Sequence, residues 1–217
     1  MSTLQIEFFH DVVCAWCFVL APRLKQLQAE FELDIQHRSF ILQSSREAMI
    51  QRFGSMPQAK ETILDHWQAC ARAEDEKRIN IPGMREQDFE YPNGLLAATA
   101  CQAAHALAGN AGHELMFDRL QWAHLVKNRN IGDKATVLAI AAEAGFDPQA
   151  FAHSLQHDAP ALLERDLRQG RELGLRSVPS LVIAERFRLS ECLTLKQLRQ
   201  VLSDIRDNLD KTEAILS

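Results

Sequence analysis

The sequence predicts an α/β fold in which a small sheet is interrupted by a long run of helices. Three observations carry this expectation. Residues 4–10 and 33–40 have strand character and flank a helical segment. Residues 44–158 have almost none. Strand character returns at 180–190, with one helix on either side.

Each element has a local reason. Leu4–His10 (LQIEFFH) is short, apolar-rich and partly alternating, which suits a strand. Cys14 to Phe31 reads as a helix, with Leu20, Leu24, Leu27 and Phe31 at helical spacing. Leu33–Phe40 alternates Leu33, Ile35 and His37 with Asp34, Gln36 and Arg38, giving a second strand. Helices are then expected at Pro57–Ala73, Asn93–Gly109, Gly112–Val126, Asp133–Ala144 and Asp147–His157. Asp133 is placed to cap one helix, Gly145 to end it, and Pro148 to open the next. Lys77–Pro92, with Pro82-Gly83 inside it and Pro92-Asn93-Gly94 at its end, reads as a long loop. An amphipathic helix at Pro160–Leu173 stops at Gly174. Strands Ser180–Ala184 and Arg186–Ser190 follow, and Thr194 caps a last helix, Leu195–Leu209. This divides the chain into an α/β unit of residues 1–43 and 160–217 and a helical insertion of residues 44–159.

The 217 residues are 47% hydrophobic and 24% charged, an ordinary globular balance that fills a core without disulfide or metal staples. The net charge of -5 argues against a sequence-independent nucleic-acid binder. The first residues show no basic-then-apolar secretory pattern, and the longest apolar run, Val12 to Ala21, falls short of the roughly 20 residues that span a bilayer. The expected location is cytoplasmic, with no membrane or nucleic-acid partner, as a monomer or homodimer. In a reducing compartment, a close cysteine pair points to catalysis or metal binding rather than to a structural disulfide.

Of the five cysteines, Cys14 and Cys17 form the one close pair, Cys14-Ala15-Trp16-Cys17. Spacing alone is a weak signal, but this pair follows a strand and opens a helix. A helix N-terminus offers free N–H groups and partial positive charge, which favour a thiolate at an exposed Cys14. Cys17, one turn on, is placed to resolve a mixed disulfide. The competing readings are a buried structural pair, since Val12, Val13, Phe18 and Leu20 surround it, and a zinc site. Zinc needs two further ligands, and Cys70, Cys101 and Cys192 are single, so no metal is expected. Far downstream, Ser177-Val178-Pro179 precedes a strand. Proline is tolerated there, and a cis Val178–Pro179 bond would mark a tight turn beside the cysteines.

Together these features resemble the thioredoxin superfamily, and most of all its DsbA-like branch, in which a large all-α insertion interrupts a thioredoxin-like fold. Within it the chain is similar to cytoplasmic FrnE-like proteins. The resemblance covers nearly the whole chain: Asp11-Val12-Val13-Cys14-Ala15-Trp16-Cys17, the helical block, Asn130-Ile131-Gly132-Asp133, Ala144-Gly145-Phe146-Asp147, and Leu173 to Pro179. It implies a thiol–disulfide oxidoreductase with Cys14 as nucleophile, Cys17 as resolving thiol and a cis-proline at Pro179. It implies no resident cofactor, with glutathione as a reductant or ligand. Ala15 departs from the proline frequent in this family, which leaves the redox potential open, and Cys192 stands where a small Ser-Gly-Ala turn is more usual. The same branch includes 2-hydroxychromene-2-carboxylate isomerases and kappa-class glutathione transferases, which carry serine at the position of Cys14. A glutathione-dependent isomerase or transferase, and a non-catalytic redox-sensing binding module, are the alternative readings.

The remaining candidates are weighed residue by residue. Trp16 is expected at the rim of the site, with Val178 and Pro179 forming the substrate-binding groove. Asp11 is either a proton relay for the thiols or a cap for the turn. Cys70 and Cys101 read as helix-packing residues, and Cys192 as a bystander or a third redox thiol. His153 and His157, at i and i+4, lack the glutamate of a zinc-protease motif and read as a solvated helix face.

Overall fold

A computed structural model describes residues 3–216. Its elements run β1 (Leu4–His10), α1 (Ala15–Phe31), β2 (Leu33–Ser39), α2 (Arg46–Phe53), α3 (Met56–Ala73), α4 (Ile81–Glu86), α5 (Leu95–Gln121), a π-helical turn (Trp122–Val126), α6 (Lys134–Glu143), α7 (Pro148–His157), α8 (Ala159–Glu172), β3 (Ser180–Ile183), β4 (Phe187–Leu189) and α9 (Leu195–Leu216). The four strands form one sheet in the order β2-β1-β3-β4. β1 pairs parallel to β2, from Leu4 opposite Leu33 to His10 opposite Ser39, with α1 as the crossover. β3 runs antiparallel on the other edge of β1, from Ile6 opposite Ile183 to Phe9 opposite Ser180. This brings residues 180–183 beside the strand that delivers Cys14.

β1 is central and covered on both faces, so Ile6, Phe8 and Phe9 are all buried. Phe8 packs edge-on against Phe117 of α5. Phe9 lies under α8 at Gly170, where an added Cβ would meet the Phe9 ring at 3.8 Å. β2 is the outer strand, and Asn110 of α5 covers its edge. Its amide donates to Ile35 O at 2.7 Å and its oxygen accepts from His37 N at 2.7 Å, taking the place of a neighbouring strand.

A buried polar network ties sheet to helices. Asp166 of α8 accepts from Ser39 N at 2.9 Å and from the Gln102 amide at 2.5 Å, and Gln102 also reaches Ser39 Oγ at 3.0 Å. Asp166→Ala would strand two buried donors and is expected to lower unfolding stability by about 2–3 kcal/mol, read as a lower urea midpoint with an unchanged slope.

Several boundaries differ from expectation for identifiable reasons. The stretch 77–92 is not one loop but contains α4. Asn80 caps it, accepting from Gly83 N, and Pro82 sits in the first turn, where its missing N–H costs nothing. α2, a short helix that the sequence pattern does not signal, is capped by Ser45. α5 keeps the two helical stretches expected on either side of Gly109, which meet at a kink where Ala108 (φ −142°) and Gly109 (φ 63°) leave helical geometry. The second strand of the final pair shortens to three residues, because Ala184 and Glu185 both adopt positive φ in the turn. The caps at Asp133 and Thr194 form as anticipated, and Asp147 caps α7 ahead of Pro148.

Candidate functional site: a dithiol at a helix N-terminus

β1 ends at His10, and the chain turns through Asp11, Val12 and Val13 before α1 begins. Asp11 O accepts from Cys14 N at 3.0 Å, closing that turn. Cys14 is the N-cap of α1, in extended conformation, and its sulfur accepts from Cys17 N at 3.3 Å. It thus occupies the place where a capping serine or aspartate would sit, at the end of the helix that carries free N–H groups. The thiol also donates to Val178 O at 3.6 Å, across 164 residues of sequence. The Val178–Pro179 peptide bond is cis. Trp16 is half-buried beside the pair, and Val178 and Pro179 are buried. Cys14 is only 6% exposed, less open than its role suggests from sequence, because the Val178 carbonyl lies over it. Cys17 is fully buried. Burial pushes its thiol well above the ordinary range, and the neighbouring Cys14 adds to this.

Asp11 is completely buried at the turn below the thiols. Its carboxylate accepts from Leu42 N at 2.7 Å and from Val13 N at 3.2 Å, so it does cap the turn. Burial pushes its pKa up from 3.8 to about 6 even so, against the lowering effect of the Leu42, Val13 and Val12 N–H groups. Gly94 faces it at close range: a Cβ there would stand 2.5 and 2.7 Å from the two carboxylate oxygens. Gly94→Ala must therefore displace Asp11 or the start of α5. The expected result is destabilisation of about 1–3 kcal/mol, visible as a lower melting temperature, with intact secondary structure by circular dichroism.

The helical insertion holds the loop from outside. Gln121 donates its amide to Val12 O at 3.2 Å and Cys14 O at 3.0 Å. Tyr91 donates its hydroxyl to Val13 O at 3.3 Å, and His124 Nε2 lies 3.1 Å from the same hydroxyl. With the phenolic proton on Val13 O, His124 carries its proton on Nε2. Burial pushes its pKa down to about 3, so it is neutral at pH 7. Trp67 packs edge-on against both rings. Neither Tyr91 nor Gln121 was singled out from sequence. The available signals were the chain's only tyrosine, next to Pro92-Asn93-Gly94, and a glutamine following Phe117 and Leu120 on a buried helical stripe.

The other cysteines do not join the pair by hydrogen bonding. Cys70 and Cys101 are buried in helices, and burial pushes the Cys70 thiol up to about 12. Cys192 is half-buried, 3.8 Å from the Arg23 guanidinium, which also binds Leu193 O, Ala73 O and Asp75. Burial pushes it up to about 11, against Arg23. His153 and His157 are exposed with rings 4.4 Å apart. Among the described residues no group of three or more His, Cys, Asp or Glu side chains is placed to hold a metal ion, and no helix is long and apolar enough to cross a membrane.

Two cysteines at a helix N-terminus, facing a proline-bearing segment, on a sheet interrupted by helices, define a thioredoxin-type scaffold. The chain belongs to the DSBA-like thioredoxin domain family, whose model matches residues 5–203. It is similar to the ClpXP adapter protein SpxH of Bacillus subtilis (strain 168), 25% identical over 181 residues, covering 82% of this chain. The match spans 57% of the length of that relative. Among solved structures it is similar to the cytosolic disulfide reductase DsbM from Pseudomonas aeruginosa, with a TM-score of 0.73, 19% identity, and coverage of 95% of this chain and 98% of that one. It is also similar to a 2-hydroxychromene-2-carboxylate isomerase, with a TM-score of 0.66, 14% identity, and coverage of 98% and 99%. At these identities the two structures speak for the fold.

Proposed function

We propose that the chain is a thiol–disulfide oxidoreductase acting through Cys14 and Cys17. The observation that carries this reading is the position of Cys14 Sγ, capping α1 at 3.3 Å from Cys17 N and touching Val178 O at 3.6 Å. Cys14, as thiolate, attacks one sulfur of a substrate disulfide. A Cys14–substrate S–S bond forms and the other substrate sulfur leaves as a thiolate. Cys17 then loses its proton and attacks Cys14 Sγ, forming the Cys14–Cys17 disulfide and releasing the second substrate thiolate. The substrate gains two electrons and the dithiol loses two; the reverse sequence oxidises a dithiol substrate. Two glutathione molecules, becoming glutathione disulfide, restore the reduced pair.

The buried Cys17 needs a base, and Asp11 supplies one. With a pKa of about 6 it is ionised at pH 7; its charge pushes the Cys17 thiol further up while offering an acceptor for the proton. Trp16, Val178 and Pro179 border the groove where a substrate would lie. Residues 44–159 serve as a separate helical unit that braces the loop through Tyr91 and Gln121. The cytosolic setting of DsbM supports a cytoplasmic role.

Equilibration against mixtures of reduced and oxidised glutathione, followed by mass spectrometry, tests the reading. The expected result is a two-proton mass loss at a defined ratio, mapped to one Cys14–Cys17 bond. Failure of that bond to form under any ratio would refute it. The kinship with SpxH favours a second reading, a redox-responsive binding module. In that case Cys14 would oxidise reversibly and change affinity for a partner without turning over generic disulfides. A glutathione-using isomerase or transferase would instead keep its activity after both thiols are alkylated.

A further inference from the structure

α1, β2 and α5 enclose a cleft of about 450 Å³ whose lining includes none of Trp16, Val178 and Pro179. That size falls within the range for small organic ligands, roughly 300–1,000 Å³. Neither cysteine lines it. Its walls are Phe18 and Leu24 of α1 and Leu115 of α5, and Phe8 and Ile35 of the sheet form its floor. Trp122 stands at the mouth, 39% exposed.

One polar group breaks the apolar floor. His37 is 6% exposed, and its ring lines the cleft. Its Nδ1 is occupied by His10 Nε2 at 3.2 Å, and its backbone N–H by Asn110. Among the described residues Nε2 has no hydrogen-bond partner. Unlike the sealed ring nitrogens of His113 and His124, it is open to the cleft and free to pair with a ligand group. The rim charges, by contrast, are engaged with each other. Lys25 pairs with Glu114 at 2.9 Å and Asp118 at 3.9 Å, and Arg78 with Glu74 at 2.6 Å and Glu76 at 3.3 Å. Arg119 is exposed, and its charge is felt by Asp118. The rim therefore offers no strong preference for a charged ligand.

We propose that this cleft binds an uncharged aromatic compound bearing one hydroxyl group, with the ring system between Phe18 and Leu115 and the hydroxyl on His37 Nε2. A phenolic hydroxyl both donates and accepts, so it satisfies either tautomer of His37. Burial pushes the His37 pKa down to about 4, which keeps the ring neutral at pH 7. The cleft also has a route to the thiols. Gln121 lines it, and the same side chain holds Cys14 O at 3.0 Å. Binding itself does not depend on the dithiol reading, so the two can fail separately.

Calorimetric titration of the reduced full-length protein with 2-naphthol and with naphthalene tests the proposal. One saturable site for 2-naphthol is expected. His37→Phe should weaken 2-naphthol about fivefold, the worth of about one hydrogen bond, and leave naphthalene within about twofold. Ala21→Trp, which fills the cleft from α1, should abolish both. Alkylation of Cys14 and Cys17 should leave both in place. The proposal is overturned by any of three results: no saturation, equal weakening of the two compounds by His37→Phe, or loss of binding on alkylation, which would put the ligand at the thiols. If Ala21→Trp does not fold, as judged by circular dichroism, the contrast between the two compounds on His37→Phe decides.

Discussion

Cys17→Ser is expected to convert the protein from a turnover catalyst into a trap. In the variant Cys14 still attacks, but nothing attacks Cys14 Sγ in return, so the mixed disulfide accumulates. With glutathione disulfide in excess, mass spectrometry should show close to one glutathione per chain, attached at Cys14. Cys14→Ser should show none and should reduce disulfides at the background rate. The asymmetry follows from position. Cys14 caps the helix and touches the Val178 carbonyl, whereas Cys17 is fully buried with its thiol pushed well above the ordinary range. A buried thiol at high pKa is a poor first nucleophile, yet it is well placed for an intramolecular second attack. Turnover surviving in Cys14→Ser would end the oxidoreductase assignment, and trapping at Cys17 in that variant would reverse the two roles.

The second large effect belongs to Asp11, and its sign runs opposite to that of a salt-bridged carboxylate. The folded-state pKa of about 6 lies above 3.8 because burial penalises the anion. As pH rises, the unfolded chain gives up this proton near pH 4 and the folded chain only near pH 6. Asp11's contribution is therefore most favourable below pH 4, is lost as pH rises towards 6, and stays lost above. The shift is about two pH units at 1.36 kcal/mol each, or about 3 kcal/mol. Asp11→Asn does not titrate. Its stability relative to the wild type should improve by about 3 kcal/mol between pH 3 and pH 7, on top of a constant offset from exchanging one acceptor oxygen for an amide. Urea titrations at several pH values read this directly; parallel curves for the two proteins would refute it. Resolution of the Cys14 mixed disulfide should also change. In the wild type its rate rises through about pH 6 as Asp11 ionises, and in the variant that rise is missing.

Much of this site is legible in the sequence. The strand, the cysteine pair and the helix after it are contiguous, so pattern and spacing report them. Val178 and Pro179 were readable because a proline before a buried strand is a local signal, and the family resemblance tied it to the distant thiols. The bracing residues were harder. Tyr91 and Gln121 reach the loop from opposite ends of α5 and its preceding segment, and no local rule links either to Val13 or Cys14. The closeness of Gly94 to Asp11 is likewise a tertiary fact, invisible in a Pro-Asn-Gly turn read by itself. The burial of Cys14 was misjudged for the same reason, since its cover comes from 164 residues away. Within the helical block, α4 was lost because Pro82 and Gly83 look like breakers until Asn80 is seen capping them.

The distance along the chain between Cys14 and Val178 has a consequence for biosynthesis. A ribosome adds about 5–20 residues per second, so the 164 residues between the two halves of the site take roughly 10–30 s to make. Throughout that interval the nascent chain carries both thiols without the segment that shields them, and β1 lacks its β3 neighbour. A cell that needs this dithiol intact must keep its translation compartment reducing for at least that long, and a chain stalled before residue 178 would present an unguarded reactive pair.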